Sequence, residues 1–246
     1  MPTRSVALIT YHAAHNNGSF LQAYATQRKI QQLGYDCDII NFSTPRQQYL
    51  YDVYKKVSGP KDIAKNLYAL FHHKLIQRRH NDFTNLMHSA LQLTPKFYED
   101  LSQMGDLETQ YDVFVSGSDQ IWNPDAKDFD INFFLPFARR AEKISYAVSI
   151  NGGILDTLDN KEELKDYLMD FDRISVRERS GKESLSSFLS EKKEISVVLD
   201  PTLLWKKEEY DKICSSRLIK EPYIFFYSVN FSDYAVKAAE ILSDRL

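Results

Sequence analysis

Ser118, Asp119, Gln120 and Trp122 crowd into the stretch VSGSDQIWN at 115–123, directly after the apolar run 111–115. A hydroxyl, a carboxylate and an amide beside one indole make a poor core and a good polar-ligand site, because donors and acceptors converge next to a flat apolar face. Asp119 can accept from a substrate hydroxyl or hold a proton for transfer, and Trp122 can stack on a sugar ring. The plainer reading is an Asx-type turn with Trp122 buried as core. The density of polar groups favours ligand binding.

Two further loops carry chemistry. In HAAHNNGS (12–19), Asn16, Asn17, Gly18 and Ser19 stand at a helix start, where free N–H groups and the helix dipole favour an anion. A plain N-cap explains the same residues. The loop has no G-x-G-x-x-G or Walker pattern, which argues against a dinucleotide or P-loop phosphate site. His12 and His15 lack a third ligand nearby, so no metal is expected. In SVRERS (175–180), Arg177 or Arg179 can grip a carboxylate or phosphate through the guanidinium fork, or serve only in a surface ion pair.

These loops must be presented by a scaffold. Val6 to Thr10, a helical stretch closed by Gly34, and Cys37 to Phe42 read as strand, helix, strand, the unit of a parallel sheet. Residues 47–88 read as a helical insertion. Strand-like runs follow at Tyr111 to Val115, Ile144 to Val148, Ile174 to Val176 and Ile195 to Leu199, with helices over Lys161 to Met169 and Gly181 to Leu189. The expectation is a doubly wound, mostly parallel, Rossmann-like α/β domain over 1–220. Val113, Val115, Ile144, Tyr146, Ile174, Val197 and Leu199 should then be buried, and Gly18, Ser118, Asp119 and Arg177 should border one cleft at the carboxyl ends of the strands. Tyr223 to Val229 reads as a buried strand and Asp233 to Leu246 as its helix, so 221–246 is expected to open an incomplete second domain. That unit should dock on the first domain or pair with another copy as a homodimer.

Composition narrows the class. With 246 residues, 43% apolar and 26% charged, and a net charge of -3, the chain has no positive excess to draw it to nucleic acid. The two cysteines, Cys37 and Cys214, lie far apart and suit a reducing cytoplasm rather than a disulfide. The apolar stretch near the start is far too short for a membrane span.

Taken together, the loops suggest an anionic donor meeting a polyhydroxyl acceptor. In sequence order, NNGSFLQAYATQRKIQQLG, FVSGSDQIWN, KISYAVSI, ISVRERSG and VVLDPTLLW resemble the polysaccharide pyruvyl transferase family over nearly the whole chain. The resemblance implies transfer of a pyruvyl group from phosphoenolpyruvate to sugar hydroxyls as a ketal, in surface or exopolysaccharide synthesis, with no further cofactor. It implies a fold like the two-domain B-type glycosyltransferases, of which this chain resembles the N-terminal, acceptor half; members are typically longer. On the matching segments, Asn17, Gly18, Ser19, Gln22, Ser118, Gln120, Trp122 and Asp200 are expected to contact substrate. Asp119, Arg177 and Glu178 are expected to be catalytic, Arg177 holding donor carboxylate or phosphate and one of the two acids protonating the methylene carbon. Asp200 has a structural alternative, fixing the turn before Pro201. The rival functions are a non-catalytic sugar-binding fragment and a nucleotide-sugar glycosyltransferase.

Overall fold

A computed structural model describes residues 4–151, 155, 158–227 and 232–245. Four short strands, β1 (Ser5–Ile9), β2 (Asp36–Ile39), β3 (Val113–Ser116) and β4 (Glu142–Ser145), form a parallel sheet in the order β2-β1-β3-β4. A second parallel pair, β5 (Ile174–Val176) and β6 (Ile195–Val197), continues it, because parallel bridges Ile144↔Arg173 and Val148↔Val176 join the β4 segment to β5. The mixed α/β architecture with a parallel central sheet matches the Rossmann-like expectation.

Chain order reverses between β1 and β3. From β1 the chain runs through helix α1 (Asn17–Gln32) to β2 on one side, whereas from β3 it proceeds to β4 on the other. Such a switch point opens a crevice at the carboxyl ends of the strands, since the two outgoing connections diverge there. Helix α1 ends where Gly34 takes φ 92, the left-handed conformation that a side chain disfavours.

Between β2 and β3 lie α2 (Pro45–Tyr51), α3 (Pro60–Phe71) and α4 (His73–Ala90), which together fill the expected insertion. Helices α5 (Lys161–Met169) and α6 (Arg179–Phe188) alternate with β5 and β6. The core is aromatic: Phe133 meets Tyr11 and Phe42 edge-on, and Phe114 meets Phe137 in the same way. After β6 the chain returns to α1, where Trp205 Nε1 donates to the Ala25 carbonyl at 2.9 Å.

Burial agrees with expectation at Val113, Val115 and Ile174, while Ile144 and Tyr146 are only partly covered. It disagrees at Val197 and Leu199, which are 47% and 59% exposed. The cause is position: β6 ends the strand order, so it lacks cover that an interior parallel strand receives.

The chain divides into compact units at 1–206 and 207–246. The second contains α7 (Lys207–Asp211) and α8 (Asp233–Ser243). The buried strand expected at Tyr223 to Val229 is not formed over 223–227, where Phe225 and Tyr227 are exposed; 228 and 229 lie outside the described residues. Apolar β-formers make a strand only with a ladder partner, and none pairs with 223–227 among the described residues.

Candidate functional site

The loop after β3 is bent hard by its glycine. Gly117 has φ 127, and a Cβ there would lie 2.1 Å from the Tyr146 carbonyl oxygen, so no other residue fits. Ser118 is consequently drawn inside. Its N–H donates to Gln22 Oε1 at 3.1 Å and its hydroxyl donates to the Ala147 carbonyl at 2.8 Å.

Gln22 is the clamp of the switch point. Its Nε2 donates to Thr10 Oγ1, to the Tyr11 carbonyl and to the Ser19 carbonyl, and its Oε1 accepts from Ser118. With both ends of the amide engaged and the side chain buried, Gln22 joins α1 to the loops after β1 and β3, a structural role in place of the exposed one expected of it. Ser118 is likewise fully buried and internally bonded.

Trp122 is also a correction. Its ring is 0% exposed, stacked on Phe134 at 5.0 Å and met edge-on by Phe171, and Nε1 donates to the Phe133 carbonyl at 3.2 Å. The indole is core, and no sugar can stack on it.

Asp119 is left partly open at the crevice. Its φ is 75, and Oδ2 accepts from the Ser19 hydroxyl at 2.7 Å while Oδ1 accepts from the Gln120 N–H at 2.8 Å. Gln120 Oε1 accepts from Asn123 Nδ2 and Asn151 Nδ2. On the facing loop, Asn16 caps α1 by accepting from Gly18 N and Ser19 N, so the plain N-cap reading holds there while Asn17 and Gly18 stay exposed.

Two strands further along, Arg177 carries the other polar group. The Asp119 carbonyl accepts from Ser149 N and the Val148 carbonyl accepts from Arg177 N, so both residues sit on the same sheet edge, two strand spacings or about 10 Å apart. Arg177 Nε donates to Glu178 Oε1 at 2.8 Å and Nη1 to Asp200 Oδ2 at 2.7 Å. Burial disfavours its charge, but the two carboxylates outweigh that and raise its pKa. Burial likewise opposes ionisation of Asp200, yet Thr202 and Arg177 together hold its carboxyl below the ordinary value. Asp200 Oδ1 accepts from Thr202 N and Oγ1, the turn-fixing role anticipated as its alternative. Glu178 Oε2 is shielded and has no hydrogen-bond partner among the described residues.

A prominent cleft lies away from the expected site. It holds about 750 Å³ and is lined by His15, Asn17, Tyr51, Arg79, His80 and Phe83 among others, and Arg177 is not among its walls. His15 packs against His80 at 4.1 Å and stacks on Phe83 at 4.9 Å. Burial, and then the charges of His80 and Arg79, push its pKa down to about 4. Tyr51 OH donates to Asp128 Oδ2 at 3.4 Å, and burial together with Asp128 pushes its phenol up to about 12. Asn17 was expected at a site, but Tyr51, Arg79, His80 and Phe83 were not, because the loop at 12–19 and the insertion are separated by tens of residues; the basic and aromatic mixture at 72–83 was the signal.

The sequence profile of the polysaccharide pyruvyl transferases matches residues 16–245, nearly the whole chain. The chain belongs to the polysaccharide pyruvyl transferase family. No curated protein and no solved structure matches it. Members of this family are transferases. No group of three or more metal-ligating side chains occurs among the described residues, and no helix there is long and apolar enough to cross a membrane.

Proposed function

We propose that the protein transfers a pyruvyl group from phosphoenolpyruvate to two hydroxyls of a sugar, forming a ketal and releasing phosphate, in surface or exported polysaccharide synthesis. One hydroxyl adds to the enol carbon as an acid delivers a proton to the methylene; the second hydroxyl then displaces phosphate. The observation that carries this reading is Asp119, a partly open carboxylate oriented by Ser19 at the switch-point crevice of a chain from this family. Its place suits proton transfer, worth roughly 10²- to 10⁴-fold in rate.

In this reading the exposed Asn17 and Gly18 and the amide of Gln120 receive the acceptor. Arg177 keeps Nη2 uncommitted among the described residues for the donor's carboxylate or phosphate, and Glu178 is the second candidate acid. The B-type glycosyltransferase arrangement, with 221–246 opening the second domain, and a cytoplasmic location belong to the same proposal.

A second reading, sugar binding without catalysis, is favoured by one feature: Arg177 already faces two carboxylates, which weakens its hold on an anion. Mass spectrometry of glycans incubated with the protein and phosphoenolpyruvate separates the two. A pyruvate ketal with stoichiometric phosphate supports transfer, unmodified glycan that co-purifies with the protein supports binding alone, and addition of a hexose in a parallel incubation with nucleotide sugars would overturn both.

A further inference from the structure

Helix α3 is built inside out. The side it turns to the rest of the chain is Asp62, Asn66 and Ala69, spaced i, i+4, i+7, of which Ala69 is the buried residue. Asn66 exchanges two hydrogen bonds with the backbone of Lys55, and Asp62 accepts from Ser58 N and Oγ. Polar bonds therefore pin the inner face. The outer face is Ile63, Leu67, Leu70 and Phe71, which are 57%, 52%, 62% and 77% exposed, and Leu75 at the start of α4 continues the ridge at 69%. A helix on a globular surface normally presents the reverse pattern, and a contiguous exposed apolar ridge marks an interaction surface.

The charge around this ridge selects its partner. Residues 53–81 hold seven lysines and arginines against the single acid Asp62, in a chain whose net charge is -3. The side chains of Lys56, Lys61, Lys65, Lys74 and Arg79 make no hydrogen bond or ion pair among the described residues. A second copy docking by two-fold symmetry would set this positive patch against itself. Leu70, Phe71 and Leu75 flank a hollow of about 520 Å³ at the turn between α3 and α4, and Ile63 and Leu67 are not among its walls. At 12 residues α3 is about 18 Å long, enough to lie in an interface and too short to span one.

We propose that α3 docks on an anionic phospholipid surface, lying in the headgroup plane with Ile63, Leu67, Leu70 and Phe71 among the upper acyl chains and the surrounding lysines and Arg79 against lipid phosphates. The inference is independent of the reaction at Asp119.

The test is co-sedimentation of the full chain with vesicles of phosphatidylcholine alone or containing about a third phosphatidylglycerol. The expected result is binding to the anionic vesicles only, weakened by 0.5 M salt because screening shortens the reach of the lysines. The pair Leu67→Glu and Phe71→Glu should reduce binding tenfold or more with an unchanged melting temperature, since both side chains already face solvent. Lys61→Gln with Lys65→Gln, which spares the ridge, should also weaken it. Equal pelleting with both vesicle types, no pelleting at all, or a dimer in sedimentation velocity that Leu67→Glu and Phe71→Glu dissociate would each overturn the proposal.

Discussion

The Ser19 hydroxyl donates to Asp119 Oδ2 at 2.7 Å across 100 residues of sequence, joining the first turn of α1 to the loop after β3. Replacing Asp119 with Asn keeps the shape and removes the proton carrier. Ketal formation should fall roughly 10²- to 10⁴-fold with the fold intact. Ser19→Ala leaves the carboxylate present but unheld, so a smaller loss of activity and about 1.5 kcal/mol of stability is expected. Phosphate release in the presence of acceptor, paired with chemical denaturation, checks both; an Asp119→Asn protein with full activity would remove Asp119 from the mechanism.

Gly117→Ala should abolish soluble expression or cost more than about 3 kcal/mol, because a methyl group would lie inside the Tyr146 carbonyl at a backbone angle that disfavours side chains. Thermal melting of the variant measures this. A melting temperature within a degree or two of the parent would show that the loop can rearrange.

Asp200 predicts a pH dependence. Its folded carboxyl is held below the ordinary value of 3.8, so it contributes stability above that pH that is lost as pH falls through the folded value. Asp200→Asn should therefore be destabilised at pH 6 to 7, and the gap to the parent should close below about pH 3.8. Melting curves across this range decide it, and a gap independent of pH would assign the effect to lost packing.

His15 acts in the same direction, in a higher pH window. Its folded pKa lies near 4 against 6.5 in the free side chain, so the unfolded chain takes up a proton that the folded one refuses, and stability declines as pH falls from 6.5 to 4. His12, fully enclosed and lowered chiefly by burial, adds to the loss of stability below pH 6.5. His15→Gln should flatten part of that decline. A ring-proton NMR titration of His15 with a midpoint near 6.5 would contradict the packing against His80 and Phe83.

The first strand, helix and strand were legible because a short apolar run gives way to a helical period and a second β-rich run follows within about forty residues, with Gly34 as punctuation. The roles of Trp122 and Gln22 were not. An indole next to a carboxylate looks the same in sequence whether it faces a ligand or Phe134, and only the return of Ile131–Phe134 over the loop decides. Gln22 reads as an ordinary helical polar residue until Thr10 and Ser118 are brought to it from separate strands. For Val197 and Leu199, the missing knowledge was strand order: local pattern identifies a strand without saying that it lies at the edge.

The position of β1 between β2 and β3 also has a consequence during synthesis. β1 and β2 pair early, but the other edge of β1 waits for Val113, separated from Ile39 by 73 residues. At roughly 5 to 20 residues per second, the ribosome takes about 4 to 15 s to supply it. For that interval the strand that becomes the centre of the sheet offers open N–H and C=O groups to any other chain, the kind of edge that templates misassembly. Ribosome-stalled chains ending before Val113 should therefore be held by chaperones or cut by protease near β1, and chains long enough to expose Ser116 and the loop beyond it outside the exit tunnel should become resistant.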